Sequence, residues 1–210
     1  MNTFIENQNW RYATKKFDTT KKITSEDLET LKEAVRLSSS SYGLQPYKVI
    51  IVEDQATREK LQPASWGQSQ IVDASYVVVF ANQTNVNDDQ IDDYLKNISE
   101  TRGIPVASLS GYGDFMKMKI GALSAEQKSI WTAKQAYLAL ANLLNAAAEL
   151  KIDVTPMEGF ESDTYNEILN LNEKGLNAAV VATIGYRHEQ DETQHYKKVR
   201  KSSQDLFINI

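Results

Sequence analysis

The chain has no cysteine and only two histidines, His188 and His195, among its 210 residues. The absence of cysteine excludes disulfide bonds, thiolate metal sites and cysteine nucleophiles, and it suits a reducing compartment. Two histidines in one polar segment do not favour a zinc centre or a histidine-based triad. We therefore expect no bound metal ion and no catalysis by cysteine or histidine.

The sequence also lacks an excess of positive charge and long apolar runs. Its formal net charge is −5 and its pI is about 5.2, which argues against a nucleic-acid partner. No apolar run approaches the roughly 20 residues that cross a bilayer, and residues 1–9 lack the apolar core of a signal peptide. We expect a cytoplasmic protein that binds neither nucleic acid nor membrane.

Hydrophobic residues make up 41% of the chain and charged residues 24%, a balance typical of globular proteins. The length predicts a single domain over residues 1–210 with a substantial core. The patterns predict strands at 47–52, 74–81 and 178–185, a strand-like entry within 151–160, and helices after Thr24 and at 57–61, 89–100, 130–150 and 163–169. This alternation predicts an α/β or α+β domain with a small, well-covered sheet.

Two regions are harder to interpret. Residues 82–129 contain four glycines and Pro105, so we expect a mobile connection after the helix at 89–100. The last five residues, Leu206 to Ile210, favour a strand but have no partner strand nearby in the sequence.

Basic residues are concentrated near both ends of this acidic chain. Arg11 and Lys15 would share one face of a helical turn, and Lys198 and Arg200 would share one side of an extended segment. Either segment alone could be an ordinary solvated basic surface. If the two segments meet in the fold, their cations form a site for a phosphate group.

Two further motifs lie between the basic segments. A serine run leads into Gln45-Pro46-Tyr47, and Pro156-Met157-Glu158-Gly159-Phe160 follows the helix predicted at 130–150. The first could be a helix end with its loop, and the second could be a simple turn.

Taken together and in this order, these motifs resemble the FMN-dependent nitroreductase family. The resemblance extends to Trp66-Gly67-Gln68-Ser69-Gln70 and to the helix at 130–150, and it covers nearly the whole chain except residues 82–129. It is strongest to the oxygen-insensitive NAD(P)H nitroreductases and their dihydropteridine and flavin reductase relatives. The resemblance implies an α+β fold with a small central mixed or antiparallel sheet flanked by helices. It also implies a homodimer whose C-terminal strand is exchanged onto the partner subunit.

The resemblance also implies roles for individual residues around FMN. The phosphate would be held by Arg11, Lys198 and Arg200, the ribityl chain would run along Tyr12 and Ala13, and Lys15 would lie near N1 and O2, where its charge favours the reduced flavin. The backbone N–H groups of Glu158 and Gly159 would donate to N5 and O4, and Pro156 would pack on one flavin face. The partner subunit would contribute Ser39, Ser40 and Ser41. Phe115 is the candidate for a mobile aromatic lid over the other face.

The chain departs from the family pattern beside the flavin pyrimidine edge. Gly67 and Gln70 stand where many relatives have Asn and Lys, and Ala13 stands where a serine is common. We expect Gln68 or Gln70 to replace the missing contacts by neutral hydrogen bonds.

The function implied is that of an FMN-dependent oxidoreductase. It would take hydride from NADH or NADPH and reduce nitroaromatic, quinone or similar flat acceptors in a ping-pong scheme. One alternative is a flavin or dihydropteridine reductase on the same scaffold. Another is a flavin-binding or regulatory protein with little turnover.

Overall fold

The computed structural model describes residues 3–210 and contains one four-stranded sheet in the order β1-β2-β4-β3, with every pairing antiparallel. The strands are β1 (Tyr47–Val52), β2 (Tyr76–Gln83), β3 (Asp153–Met157) and β4 (Leu176–Gly185). The two central strands, β2 and β4, are the two long apolar runs of the sequence. The predicted α+β class and small antiparallel sheet are therefore confirmed.

Helices surround this sheet. They are α1 (Thr3–Trp10), α2 (Ser25–Arg36), α3 (Gln55–Ala64), α4 (Gln70–Asp73), α5 (Asp88–Arg102), α6 (Ser110–Gly121), α7 (Ala125–Glu149), α8 (Ser162–Ile168) and α9 (Ser203–Leu206). Short 3₁₀ turns lie at Ser41–Gly43, Val106–Leu109, Asn172–Lys174 and Glu192–His195. Within residues 3–210, no helix combines the length and the apolar character needed to cross a membrane.

The core is divided by the sheet into two layers. Val78 and Phe80 of β2 pack with α2 and α7 on one face, whereas Val77 and Val79 pack with α3 and α8 on the other. Successive side chains of a strand point to opposite faces, so a strand covered on both faces is apolar at every position. This explains the uninterrupted valine run.

Several local predictions are confirmed. The side chain of Thr24 accepts a hydrogen bond of 3.1 Å from the Asp27 amide, so Thr24 caps α2. Strand β1 has the predicted bounds. Helix α7 begins five residues earlier than predicted, because Ser124 and Gln127 form a capping box.

The helical turn expected for Arg11 and Lys15 is wrong. Helix α1 ends at Trp10, and the following chain is irregular up to an isolated β-bridge between Phe17 and Arg187. The amides of Lys15 and Lys16 donate to the carboxylate of Asp191 instead of to helical carbonyl groups. A distant side chain therefore decides this backbone conformation.

The connection expected to follow the helix at 89–100 is also wrong, because a 3₁₀ turn at Val106–Leu109 leads directly into α6. Its glycines suggested a loop, but Gly113 lies against α5. A Cβ atom at Gly113 would stand 2.5 Å from Cδ1 of Leu95, so glycine lets Leu95 pack this closely without moving.

The C-terminal segment leaves the body of the chain. Leu206 ends α9, and residues 207–210 are exposed and pair with none of the four strands. The backbone of Phe207 is extended, at φ −109° and ψ 134°. The β-prone segment therefore has no strand partner within the described part of its own chain.

Candidate active site

Three cations from opposite ends of the chain form a cluster. Burial lowers the pKa of Arg11, and the charge of Arg200 lowers it further. Burial likewise lowers the pKa of Lys198, followed by the charges of Arg11 and Arg200. Within residues 3–210, none of the three forms an ion pair with a carboxylate. Like charges collected without a counter-charge are suited to binding an anion.

Lys198 attaches the C-terminal arm to the end of α1. Its ammonium group donates to the carbonyl oxygen of Gln8 at 2.5 Å and to that of Arg11. Nε of Arg11 in turn donates to Oε1 of Gln8 at 2.7 Å. A cation is favourable at this position, because the last carbonyl groups of a helix carry partial negative charge.

The carboxylate of Asp191 organises the loop that follows α1. Only 3% of Asp191 is exposed, and its Oδ2 accepts from the Lys15 amide at 2.8 Å, the Lys16 amide at 3.1 Å and the Tyr12 hydroxyl at 3.0 Å. Burial opposes ionisation, but hydrogen bonds from Thr193, from the two amides and from Tyr12 lower the pKa of Asp191. Sequence reasoning missed this residue, since no pattern distinguishes it from other surface acids.

An aromatic stack supports the same loop. The guanidinium of Arg187 lies 4.2 Å from the ring centre of Trp10 and 4.6 Å from that of Tyr12. It also forms an ion pair of 2.6 Å with Asp153, which is buried. Burial, and then the hydrogen bond to Asp191, raise the pKa of Tyr12, so Tyr12 acts as a neutral donor.

The loop after α1 passes beside the end of β3. The hydroxyl of Thr155 donates to the carbonyl of Thr14 at 2.6 Å, which places this loop against β3, the strand that leads into Glu158 and Gly159. The amides of Glu158 and Gly159 donate no hydrogen bond to any group in residues 3–210. Two adjacent unused donors fit the acceptor atoms of a flavin ring edge.

The side chains near these two amides are already occupied. The Tyr137 hydroxyl on α7 donates to Oε1 of Glu158 at 2.6 Å. Burial, and then this contact, raise the pKa of Tyr137 to about 12. The side chain of Gln68 donates to the Gly159 carbonyl at 2.9 Å and to the Ser65 carbonyl at 3.0 Å. Glu158 and Gly159 are thus fixed from both sides.

Gln70, rather than Gln68, is free to contact a ligand. Gln70 is 6% exposed, and its side-chain amide makes no hydrogen bond to the described residues. Its amide atoms are not among the fully buried side-chain atoms that lack a partner in residues 3–210, so they stay accessible, which fits a ligand contact. Gly67 is exposed, with φ +72° and no atom within 4 Å of a Cβ built there.

The serine loop and the predicted lid form a separate group. The Ser41 amide donates to Gln135 on α7 at 2.8 Å, and Oγ of Ser40 accepts from the Gln45 amide at 2.9 Å. Ser39 is exposed. No hydrogen bond or ion pair in the described chain joins this loop to Arg11, Lys198 or Arg200.

Tyr42 connects the serine loop to the helices α5 and α6. Its φ is +59°, and its carbonyl accepts from the hydroxyls of Tyr94 at 2.7 Å and Tyr112 at 3.1 Å. Phe115 of α6 is 45% exposed, and its ring lies 6.5 Å from that of Tyr42. The lid candidate is thus accessible and packs edge-on against the serine loop. The described residues of one chain form the phosphate-type cluster and the ring-edge donors, and no hydrogen bond or ion pair joins this third group to the three cations.

Comparison with known proteins identifies the family to which a chain with this site belongs. The model of the nitroreductase family matches residues 9–186. The chain belongs to the nitroreductase family.

Particular relatives agree with this assignment. The chain is 34% identical over 204 residues to the major NAD(P)H-flavin oxidoreductase of Aliivibrio fischeri, with 94% of each chain covered. It is 35% identical over 213 residues to a Staphylococcus epidermidis protein that is named as a candidate NAD(P)H nitroreductase, with 98% of this chain and 96% of that one covered. Among solved structures, one from Exiguobacterium sibiricum in complex with FMN has a TM-score of 0.87 at 20% identity, with 99% and 97% covered. This structural similarity establishes the fold.

Proposed function

We propose that the protein is an FMN-dependent oxidoreductase that uses NADH or NADPH to reduce nitroaromatic, quinone or similar flat acceptors. The observation that carries this proposal is the cluster of Arg11, Lys198 and Arg200, which has no carboxylate partner in residues 3–210. Two similar proteins support the cofactor chemistry, since one is an NAD(P)H-flavin oxidoreductase and the solved structure of the other is a complex with FMN.

The residues divide the work of holding FMN. Arg11, Lys198 and Arg200 hold the phosphate, because bidentate guanidinium groups and an ammonium group match a phosphate dianion in charge and geometry. The backbone of Tyr12 and Ala13 follows the ribityl chain. Lys15, whose side chain is exposed and has no ion-pair partner in the described chain, lies near N1 and O2.

A second group of residues holds the flavin ring. The amides of Glu158 and Gly159 donate to N5 and O4, and Pro156 packs on one face. Gln70 contacts the pyrimidine edge in place of the Asn and Lys of many relatives, and Gly67 leaves room beside it. FMN, when bound, supplies hydride transfer from the nicotinamide to the acceptor, and the protein supplies position and charge.

Two subunits complete the site. Ser39, Ser40 and Ser41 reach the FMN of the partner subunit, and Phe115 covers the face on which nicotinamide and acceptor bind in turn. Within residues 3–210 no hydrogen bond or ion pair joins the serine loop to the three cations, which supports a contribution across a dimer.

The dimer is supported by two exposed apolar features. Ile130 and Leu138 on α7 are 50% and 46% exposed. Beside the open edge of β1 lies a cavity of about 470 Å³, lined in part by Leu28, Val49 and Ile51. We propose that residues 206–210 of one subunit add a strand to the sheet of the other, which removes an unpaired edge and covers apolar side chains. We also propose a cytoplasmic location, in keeping with a chain that has no cysteine.

Steady-state assays with a panel of acceptors and with both nicotinamides test this function. The purified protein should be yellow, and NADH or NADPH should bleach it rapidly under anaerobic conditions. Nitroaromatics and quinones should restore the colour faster than free flavins or a dihydropteridine substrate do. A yellow protein that neither nicotinamide bleaches would be a flavin-binding protein without turnover and would contradict the proposal.

A further inference from the structure

The loop that carries Lys15 is attached to a residue 176 positions away in the sequence. Oδ2 of Asp191 accepts from the Lys15 and Lys16 amides, at 2.8 and 3.1 Å, and from the Tyr12 hydroxyl at 3.0 Å. Its Oδ1 accepts from the amide and hydroxyl of Thr193, at 3.0 and 2.5 Å. All five donors come from two segments, the loop after α1 and the arm that leads to Lys198.

Lys198 already joins the arm to the Gln8 and Arg11 carbonyls. A further attachment stabilises the two segments, because the cations that they carry repel each other. Arg11 lies on the loop, and Lys198 and Arg200 lie on the arm. The charge of Arg200 lowers the pKa of Arg11, and the charge of Arg11 lowers the pKa of Lys198. Before an anion binds, this repulsion favours separation of the two segments. A buried carboxylate that receives hydrogen bonds from both segments opposes it.

We infer that Asp191 is a positioning residue that holds the loop after α1 against the C-terminal arm in the conformation that binds FMN. Asp191 acts on the flavin indirectly, in two ways. It joins the two halves of the phosphate cluster, and it fixes the backbone of Lys15. This inference rests on the proposed placement of FMN. It assigns a role to a residue that makes no contact with the cofactor.

The test compares Asp191→Asn and Asp191→Ala with Asp18→Asn. Asp18 is the matched control, because its side chain accepts from Thr20 and pairs with Lys21, all within its own turn. In protein freed of FMN, hydrogen exchange at the amides of Lys15 and Lys16 should be faster in both Asp191 variants. The dissociation constant of FMN should rise on the order of tenfold, the usual scale for losing a hydrogen bond to a charged group. Asp18→Asn should match the wild type in both measurements.

A double-mutant cycle then asks whether Asp191 acts through Lys15. Asp191→Asn should lower the two-electron potential of bound FMN when Lys15 is present and should have little effect in the Lys15→Met background. A purely structural role would lower the melting temperature in both backgrounds and leave the potential unchanged.

Three results would decide against parts of this scheme. Wild-type exchange and wild-type FMN affinity in both Asp191 variants would overturn the positioning role. An equal shift of potential with and without Lys15 would overturn the route through Lys15. If Lys15→Met alone leaves the potential unchanged, the placement of Lys15 in the proposed function is wrong, while exchange and affinity still test Asp191. Should Asp191→Ala fail to fold, Asp191→Asn, which keeps the shape of the side chain, gives the same measurements.

Discussion

The indole of Trp66 lies directly over Gly159. A Cβ atom at Gly159 would stand 2.8 Å from Cζ3 and 3.0 Å from Cε3 of Trp66, and Nε1 of Trp66 donates to Glu161 at 2.8 Å. The side chain at 66 therefore packs against the Cα of the residue whose amide we assign to the flavin edge.

Gly159→Ala should displace Trp66 with little loss of stability, because an indole that is 68% exposed can move away. We expect a change in tryptophan fluorescence, weaker FMN binding and a cost below about 1 kcal/mol in the free energy of unfolding. Gly121→Ala is the control, since nothing lies within 4 Å of its Cβ position. If Trp66→Ala does not restore FMN affinity to the Gly159→Ala protein, the contact does not matter for the site.

Arg200→Ala should release most of the FMN. A charge-assisted hydrogen bond contributes roughly 1.5–3 kcal/mol, or one to two decades in affinity. Equilibrium dialysis with FMN measures the change, and Lys201→Ala, one residue further along the exposed arm, is the control. Unchanged flavin occupancy after dilution and gel filtration of Arg200→Ala would contradict the phosphate assignment.

FMN affinity should fall at alkaline pH because of Lys198. Burial and two neighbouring cations lower the pKa of Lys198 below its ordinary 10.5, and a bound phosphate dianion raises it again. Binding therefore takes up protons, and affinity decreases as pH rises through the lowered pKa of the free protein. Titrations with FMN from about pH 8 to 10 measure the slope. Lys198→Arg stays charged throughout this range and should reduce the slope; equal slopes would exclude Lys198 as the titrating group.

Lys15→Met should lower the two-electron potential of bound FMN by tens of millivolts. The charge of Lys15 favours the reduced flavin, and opposite charges a few ångströms apart contribute about 1–4 kcal/mol at the relevant dielectric constants. Spectroelectrochemical titration measures the potential. Lys16→Met is the control, because Nζ of Lys16 points to Gln190 at 2.8 Å. An equal shift in both variants would place Lys15 away from the flavin ring.

Deleting residues 206–210 should weaken the dimer and FMN binding together, because both depend on the same interface. Light scattering at low micromolar concentration and FMN titration measure the two effects. A Gly-Ser segment of equal length is the comparison, and it should behave like the deletion if apolar contacts hold the tail. A wild-type protein that is monomeric at these concentrations would end the dimer proposal.

The sequence determined the elements whose signals are local. The valine run of β2 indicates a strand that is buried on both faces. Thr24 indicates a helix start, because its side chain can accept a hydrogen bond from a free amide there. The apolar residues of α2 and α7 recur with the 3.6-residue period of a helix. The motif from Pro156 to Phe160 and the basic pairs near both ends also gave most of the candidate site.

Only the tertiary structure decided how these pieces meet. The conformation of residues 11–16 follows from a carboxylate at Asp191, and the glycines that suggested a loop at 103–121 instead allow α6 to pack on α5 at Gly113. Likewise Gln68 is engaged with Gly159, which leaves Gln70 as the free amide. In each case a contact between residues far apart in sequence outweighs a local preference of at most about 1 kcal/mol, so no local pattern could have revealed it.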